Sequence, residues 1–469
     1  MRSEFDSIGG VEVPKDALYG SNTARGVENF AGLGRPLGEY RNLVAAMARV
    51  KRAAAMANLA VGAIEPRLAD AICRACDEIA EGRYDDQFVV PLAEGSGGTS
   101  INMNINEVIA NRAGALLGDA PGSYASVHPN DHVNLGQSTN DVVPTAIKLG
   151  CILASAPLFL AGETLVAAFR AKADEYREVL RVGRTCMQAA QPMTYGQLFD
   201  GHAASVLRAV GAVRKACDDL AVVPMGGTAI GTGLGAAPGY GDAIAGALTD
   251  VFGFPVSRAE NAFDGMASAD GFVRLSSELR NLSSVAAKIA ADLVILGSDG
   301  PSGLGEVMLP AVQPGSSIMA GKVNPVICMA VQQVAFAIHG HDATVALAAQ
   351  AGQMEINHFE PVMAQALFES LSLVTRGCEL FAKRCICGLK VDTERSYQNL
   401  AASFAVSTVF LRRLGYARVA KLAKQAQAIG ARLTDLAVTE GLLSESELRE
   451  VLRTAAHGRV DEERHSIRS

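Results

Sequence analysis

Tryptophan is missing from this chain, and Phe and Tyr bring the aromatic share to only 5% of 469 residues. An apolar content of 49% must then come from Ala, Val, Leu, Ile and Met, side chains that allow close helix packing. With charged residues at 19%, the composition excludes a disordered polymer. Basic side chains are outnumbered, 42 against 49 acidic, and form no long run. That argues against nucleic acid as a partner, because phosphate binding needs a concentrated Lys/Arg footprint. An anionic ligand would have to be attracted locally.

Other absences narrow the field further. The longest apolar stretch, 149–162, contains Pro157 and is shorter than the roughly 18–20 residues of a membrane span. The N-terminal MRSEFDSIGG has acids where a signal peptide has its apolar centre. The expectation is a soluble, cytoplasmic protein with no membrane partner. Nine scattered cysteines, an odd number, argue for reduced thiols rather than a disulfide framework. Cys73 and Cys76 form a CxxC inside a helical pattern without a second pair or a nearby His, and read as packing residues. His128 and His132 read as hydrogen-bonded loop residues. His339, His341 and His358 lie on helical patterns without metal-ligand partners, so no metal is expected. No GxGxxG or P-loop pattern occurs, and no cofactor is expected.

The strongest periodic signal runs over 272–296. Phe272, Leu275, Leu279, Leu282, Ala286, Ile289, Leu293 and Leu296 alternate spacings of three and four, the seam of a long bundled helix. A second helix is expected over about 161–180, with Leu165, Phe169, Tyr176 and Leu180 on one face. A third, over about 325–349, is Ala- and Val-rich and almost uncharged, so it must be buried on most sides. Such helices in one chain point to a bundle that uses other subunits for burial. Gly/Pro-rich punctuation falls at 91–100, 117–130, 224–240 and 297–315. A connection as long as the last is usually functional. The final seventy or so residues turn basic and then acidic, and read as a small helical domain with a frayed tail after Ala456.

Four polar clusters stand out. GSGGTSIN (95–102) is a Gly-rich turn feeding a helix, able to offer N–H groups and hydroxyls to an anion or simply to cap the helix. QSTND (137–141) precedes a helix with Pro144 in its first turn. GRTCMQAAQPMT (183–194) interrupts a helical pattern and reads as a kink. PGSSIMAGKVNP (314–325) puts two serines behind a mobile Gly-rich segment, with Lys and Asn before a buried helix. No hydrolase elbow accompanies it, so a catalytic serine here is not an ordinary triad nucleophile.

GSSIMAGKVNPV in this fourth cluster resembles the GSSxMPxKxN signature of the aspartase/fumarase superfamily. LYGSNTARGVENF near residue 18, GGTSINMNINEVIAN at 97–111, HVNLGQSTNDVVPTA at 132–146, PMTYGQ at 192–197, GTAIGTGL at 227–234 and AAQAGQMEINHFEPV at 348–362 resemble the same family, in order. The likeness extends to about residue 445. Gln after Gly in GQMEINHFEPV is more like the ammonia-lyase branch than the class II fumarase branch.

The resemblance implies a mainly α, three-domain fold: an N-terminal domain (1–137), a central long-helix bundle (138–395) and a small C-terminal helical domain (396–469). The bundles would assemble into a homotetramer with active sites shared between subunits. It implies a small dicarboxylate substrate and reversible elimination of ammonia or an amine from L-aspartate or a close analogue. Ser316 would be the base, acting as an alkoxide and passing through an aci-carboxylate intermediate. Thr99, Ser138, Thr139 and Ser317 would hold the β-carboxylate, and Lys322 and Asn324 the α-carboxylate. Asn140 and Thr185 would face the leaving group. A fumarase-type hydratase and a non-catalytic structural relative are the alternatives.

Several positions depart from the family pattern. Cys186 stands beside the leaving group where many members have His and some Gln. Ala189 replaces an Asp and Ala320 the signature proline. The Arg that usually follows Gly-Pro is absent at Pro301-Ser302, and STVFLRRLGY stands in place of an LNPxIGY stretch. These changes bear on substrate identity more than on reaction type.

Overall fold

The computed structural model describes residues 1–458, and within them the chain is mainly α-helical. A hairpin of β1 (Arg2–Asp6) and β2 (Gly9–Val13) leads into α1 (Ser21–Phe30), α2 (Arg41–Ala60), α3 (Pro66–Ala80) and α4 (Thr99–Leu117). The long α5 (Thr139–Glu175) is followed by an antiparallel hairpin, β3 (Leu180–Thr185) and β4 (Gln188–Thr194). Next come α6 (Tyr195–Asp219), β5 (Val222–Val223), α7 (Tyr240–Phe252), β6 (Ser257–Arg258), α8 (Ala262–Ala267) and α9 (Asp270–Leu296). β7 (Val307–Met308), α10 (Val326–Gln350), α11 (Glu360–Phe381) and β8 (Lys390–Val391) complete the long elements. Five shorter helices follow: α12 (Thr393–Ala401), α13 (Ala405–Leu414), α14 (Tyr416–Ile429), α15 (Leu433–Thr439) and α16 (Glu445–Ala456). Of the expected frayed tail, 457 and 458 form a turn and 459–469 lie outside the described residues.

All eight seam residues of α9 are buried, from Phe272 at its start to Leu296 at its end. The helix expected over 161–180 is the second half of α5, which begins at Thr139 and stops at Glu175, so that Leu180 opens β3 instead. Pro144 and Pro157 are both inside α5, and Pro144 therefore sits in the second turn rather than the first. By length and composition alone α5 could cross a bilayer, which the 149–162 stretch did not suggest; half of its most apolar window is buried in this chain. GRTCMQAAQPMT is not a helix kink. It is the β3–β4 hairpin, whose two-residue turn is Cys186-Met187.

The chain divides into two compact units: Met1–Phe159 with Gly211–Leu282 and Phe336–Thr375, and Leu160–Val210 with Ser283–Ala335 and the chain from Arg376 on. In the first, α2 packs on α3 and α7, and its Ala-rich face (Ala46, Ala53, Ala54, Ala57) is buried. One cation interrupts that face. Lys51 is fully buried and donates to Asn134 Oδ1 (2.8 Å) and Gln137 Oε1 (3.0 Å). Asn102 and Asn106, one turn apart on α4, donate to the same Asn134 oxygen at 3.2 Å each. Asp141, also fully buried, accepts from the backbone N–H groups of Ser138 (2.9 Å), Gly226 (3.0 Å) and Thr228 (2.9 Å). These groups fasten the QSTND turn from below.

In the second unit, Leu180 and Val182 of β3 share one apolar core with Leu400, Phe410, Val419, Leu436 and Leu452 of the C-terminal helices. The polar counterpart is Glu306, which is fully buried. Its carboxylate accepts from Arg184 Nη2 (2.8 Å), the Tyr195 hydroxyl (2.8 Å) and Asn399 Nδ2 (3.0 Å). Its backbone N–H donates to Leu296 O at 2.9 Å, and its carbonyl accepts from Asp392 at 3.0 Å. Arg395 adds bonds to the carbonyls of Gly300, Gly303 and Leu304. Residue 306 thus roots the long segment that ends at α10.

Burial pushes Lys51 down from 10.5 to about 7 and Asp141 up from 3.8 to about 6, each partly offset by the other's charge. With Lys51's folded value depressed, the unfolded chain binds the extra proton between about pH 7 and 10.5, so stability rises with pH across that window. Asp141's raised value acts oppositely, and stability falls between about pH 4 and 6. Chemical denaturation of Lys51→Met across pH 7–10 should therefore lose the alkaline rise seen in wild type. Parallel curves for the two proteins would contradict this.

Candidate active site

The first unit carries Thr99, Ser138, Thr139 and Asn140. Gly98 caps α4 with φ +90°, a conformation that suits glycine, and a Cβ there would stand 3.4 Å from Thr139 and 3.1 Å from Val143. The turn is held by Glu94, whose carboxylate accepts from the N–H groups of Ser96 and Gly98. This close approach sets exposed Thr99 beside the half-buried 138–140 turn. Asn102 Nδ2 donates to Thr139 Oγ1 at 3.2 Å, and Asn140 Nδ2 to Ala229 O at 2.8 Å. Ser138 Oγ caps α5 by accepting from Asn140 N at 3.2 Å. The capping and anion-binding readings of these clusters are compatible: uncharged hydroxyls and amides converge at the adjoining N-terminal ends of two helices, a setting that favours a carboxylate.

The second unit carries Thr185, Cys186, Ser316, Ser317, Lys322 and Asn324. Thr185 and Cys186 are exposed at the hairpin tip. Cys186 (φ +49°) and Met187 (φ +64°) both adopt left-handed conformations without being glycine. A two-residue hairpin turn demands this geometry, and residues with a Cβ hold it at a cost of about 1–2 kcal/mol each. Below the tip, Arg184 reaches Glu306, which ties the hairpin to the root of the serine segment.

That segment is a closed loop. Gly315 N–H donates to Lys322 O (2.8 Å), and Asn324 Nδ2 donates to Gly315 O (2.7 Å). A Cβ at Gly315 would meet backbone atoms of Asn324 and Lys322 at 2.7 Å, so only glycine fits this crossing. Inside the loop, Ser316 Oγ accepts from the N–H groups of Ile318 (3.2 Å) and Met319 (3.0 Å). Two donors aimed at one hydroxyl oxygen favour its deprotonated form. Ser317 and Lys322 are exposed, as are Ile318 (88%), Met319 (49%) and Val323 (49%), so nothing among the described residues of this unit buries the loop tip.

Sequence reasoning missed the groups behind both clusters: Lys51, Asn134 and Asp141 in one unit, Arg184, Tyr195 and Glu306 in the other. A Lys within an Ala-rich helical face was the only available signal for the first set. His358 lies in the turn before α11, not on a helix, and packs on Gly97. His128 and His132 are hydrogen-bonded within their loop, as expected. Cys76 is buried and Cys73 half-buried, and burial pushes both thiols up, consistent with packing roles.

Residues 9–340 match the lyase family model. An aspartate ammonia-lyase of Bacillus sp. is 39% identical over 455 residues, 96% of each chain. A class II fumarate hydratase of Thermosynechococcus vestitus is 39% identical over 450 residues, 95% of each chain. Among solved structures, the cobalt-bound fumarate lyase:delta crystallin of Brucella melitensis superposes with a TM-score of 0.94 at 41% identity, over 97% of this chain and 99% of that one. The chain belongs to the lyase family, within the aspartase/fumarase superfamily.

Proposed function

We propose that this chain is a carbon–nitrogen lyase that eliminates ammonia, or an amine, from L-aspartate or a close analogue to give fumarate. The observation that carries the reading is Ser316, half-buried beside the Gly315 crossing, with its hydroxyl oxygen held by two backbone N–H groups of the loop. As an alkoxide, Ser316 takes the proton from the carbon next to the β-carboxylate. The electron pair moves into that carboxylate, and the doubly charged aci-carboxylate must be met by donors. Thr99, Ser138, Thr139 and Ser317 are the donors assigned to it, and Lys322 and Asn324 those assigned to the α-carboxylate. The pair then returns to form the double bond as the amine leaves past Asn140 and Thr185. A serine serves as base only where water is excluded, which requires the exposed loop tip to become covered.

We assign the cover to other copies of the chain. α10 has a single Lys/Arg/Asp/Glu side chain, Asp342, and that one is buried. Its exposed residues include Met329, Gln333, Phe336, Gly340, Ala343, Leu347 and Gln350, spaced four and three alternately. That is a second heptad seam, opposite the buried Cys328, Val331, Ala335, Ile338 and Val345. Phe336 is 68% and Leu347 62% exposed, an apolar stripe suited to the same stripe of another copy. This stripe supports our reading of a homotetramer with sites composed from several chains, acting on a small dicarboxylate. The class II fumarate hydratase relative supports a second reading, elimination of water from malate.

Following fumarate by its ultraviolet absorbance separates these readings: L-aspartate should react and L-malate should not, and the reverse outcome selects the hydratase. Ser316→Ala should lower turnover by about 10³ or more with the fold intact; retention of a tenth of wild-type turnover would remove Ser316 as base. Light scattering should give about four times 48.9 kDa, and Phe336→Glu should reduce both mass and activity; an active monomer would refute the shared site. Cys186 offers a weak, small donor where His would offer a strong one, leaving room beside the departing nitrogen. Cys186→His should shift kcat/KM from N-methyl-L-aspartate toward L-aspartate, and an unchanged ratio would leave Cys186 as filler.

A further inference from the structure

Two thiols outside the proposed catalytic groups are in contact. Cys328 lies in the first turn of α10, and Cys385 in the wide turn Ala382–Ile386, where the helix loosens to i→i+5 bonding. Their Sγ atoms are 3.7 Å apart, and the residues are 0% and 1% exposed. Both border a void of about 10 Å³, lined also by Leu309, Pro310, Pro325 and Arg384. That is room for about one molecule the size of water. Hydrogen peroxide is of that size class. A void beside two touching sulfurs also gives them room to rotate. Closing the gap to a disulfide length of about 2.05 Å needs a movement of about 1.7 Å.

We propose that Cys328 and Cys385 form a peroxide-reactive pair that closes to an intramolecular disulfide, fastening the first turn of α10 to the 382–386 turn. The Cys328 thiolate attacks one peroxide oxygen, the O–O bond breaks, and the departing hydroxide takes up a proton to leave as water. Cys328 is then a sulfenic acid. The Cys385 sulfur attacks it, the S–O bond breaks, and the second hydroxide leaves as water with the Cys385 proton. Two thiols and one peroxide give one disulfide and two waters. Either sulfur can donate in this contact, and Cys328 is taken as the attacking sulfur and Cys385 as the resolving one. The disulfide would act four residues after Asn324, whose side chain closes the Ser316 loop. This inference does not depend on the reaction catalysed.

The test treats the full-length protein with stoichiometric hydrogen peroxide, blocks remaining thiols with N-ethylmaleimide and maps the peptides by mass. Most chains should yield a Cys328–Cys385 cross-linked peptide lighter by two hydrogens, abolished by dithiothreitol. Cys385→Ser should leave Cys328 trapped as a sulfenic acid that dimedone labels. A Cys186→Ser/Cys387→Ser background removes two exposed thiols and should leave the cross-link unchanged. The proposal is overturned if Cys328 and Cys385 both remain alkylated by N-ethylmaleimide, or if either pairs instead with Cys387.

Discussion

The carboxylate of Glu306 is a charge with no access to water, and such a group persists only where protein donors replace its hydration. Arg184, Tyr195 and Asn399 do so from three separate elements. Removing one partner of a buried ion pair typically costs about 3–5 kcal/mol, so these elements are held in one arrangement. The consequence runs in two directions. Through Arg184 the strained tip at Cys186 and Met187 is fixed in place, and through residue 306 itself the root of the serine loop is fixed. Beyond the root little is held by burial: Ile318, Met319 and Val323 face outward, and the loop keeps its shape by hydrogen bonds, the Gly315–Lys322 and Asn324–Gly315 bonds at its neck and the Ile318 and Met319 N–H groups on Ser316 Oγ. A stiff root with an unburied tip is the mechanical requirement for a group that must close over a substrate and release it.

A parallel device operates in the other unit. Lys51 and Asp141 are both removed from water, and each satisfies itself on the turn that presents Ser138, Thr139 and Asn140. Both clusters thus consist of neutral donors, plus the single cation Lys322, at the surface, supported by buried charges. For the proposed reaction, whose intermediate concentrates negative charge on one carboxylate, many oriented neutral donors would stabilise that charge without binding the substrate's carboxylates too tightly beforehand.

Much of this architecture was legible because local pattern and tertiary burial agree. The seam over 272–296 and the uncharged helix after Pro325 are long and periodic, and both form within a residue or two of the expected limits. Turn chemistry likewise marked Gly98 and the 314–325 loop. The hairpin over 180–194 was not legible, since its turn is Cys186-Met187 rather than Asn-Gly, and its strands are stabilised by apolar contact with distant C-terminal helices. A helix after QSTND with Pro144 in its first turn was expected, but not that it would run on through Pro157 and join the helix expected over 161–180. Lys51 and Glu306 escaped for a different reason. Their partners lie 83 and 122 residues away, as in Lys51–Asn134 and Arg184–Glu306, and local spacing carries no information about such pairs.

The central chemical claim is that Ser316 moves a proton at carbon. Running the reaction backwards in D₂O from fumarate and ammonium, with the product followed by proton NMR, tests it most directly. The account predicts L-aspartate bearing a single deuterium at C3 with the wild-type protein and no detectable deuterated product with Ser316→Ala over the same time. Formation of the same deuterated aspartate at a comparable rate by the Ser316→Ala protein would contradict it.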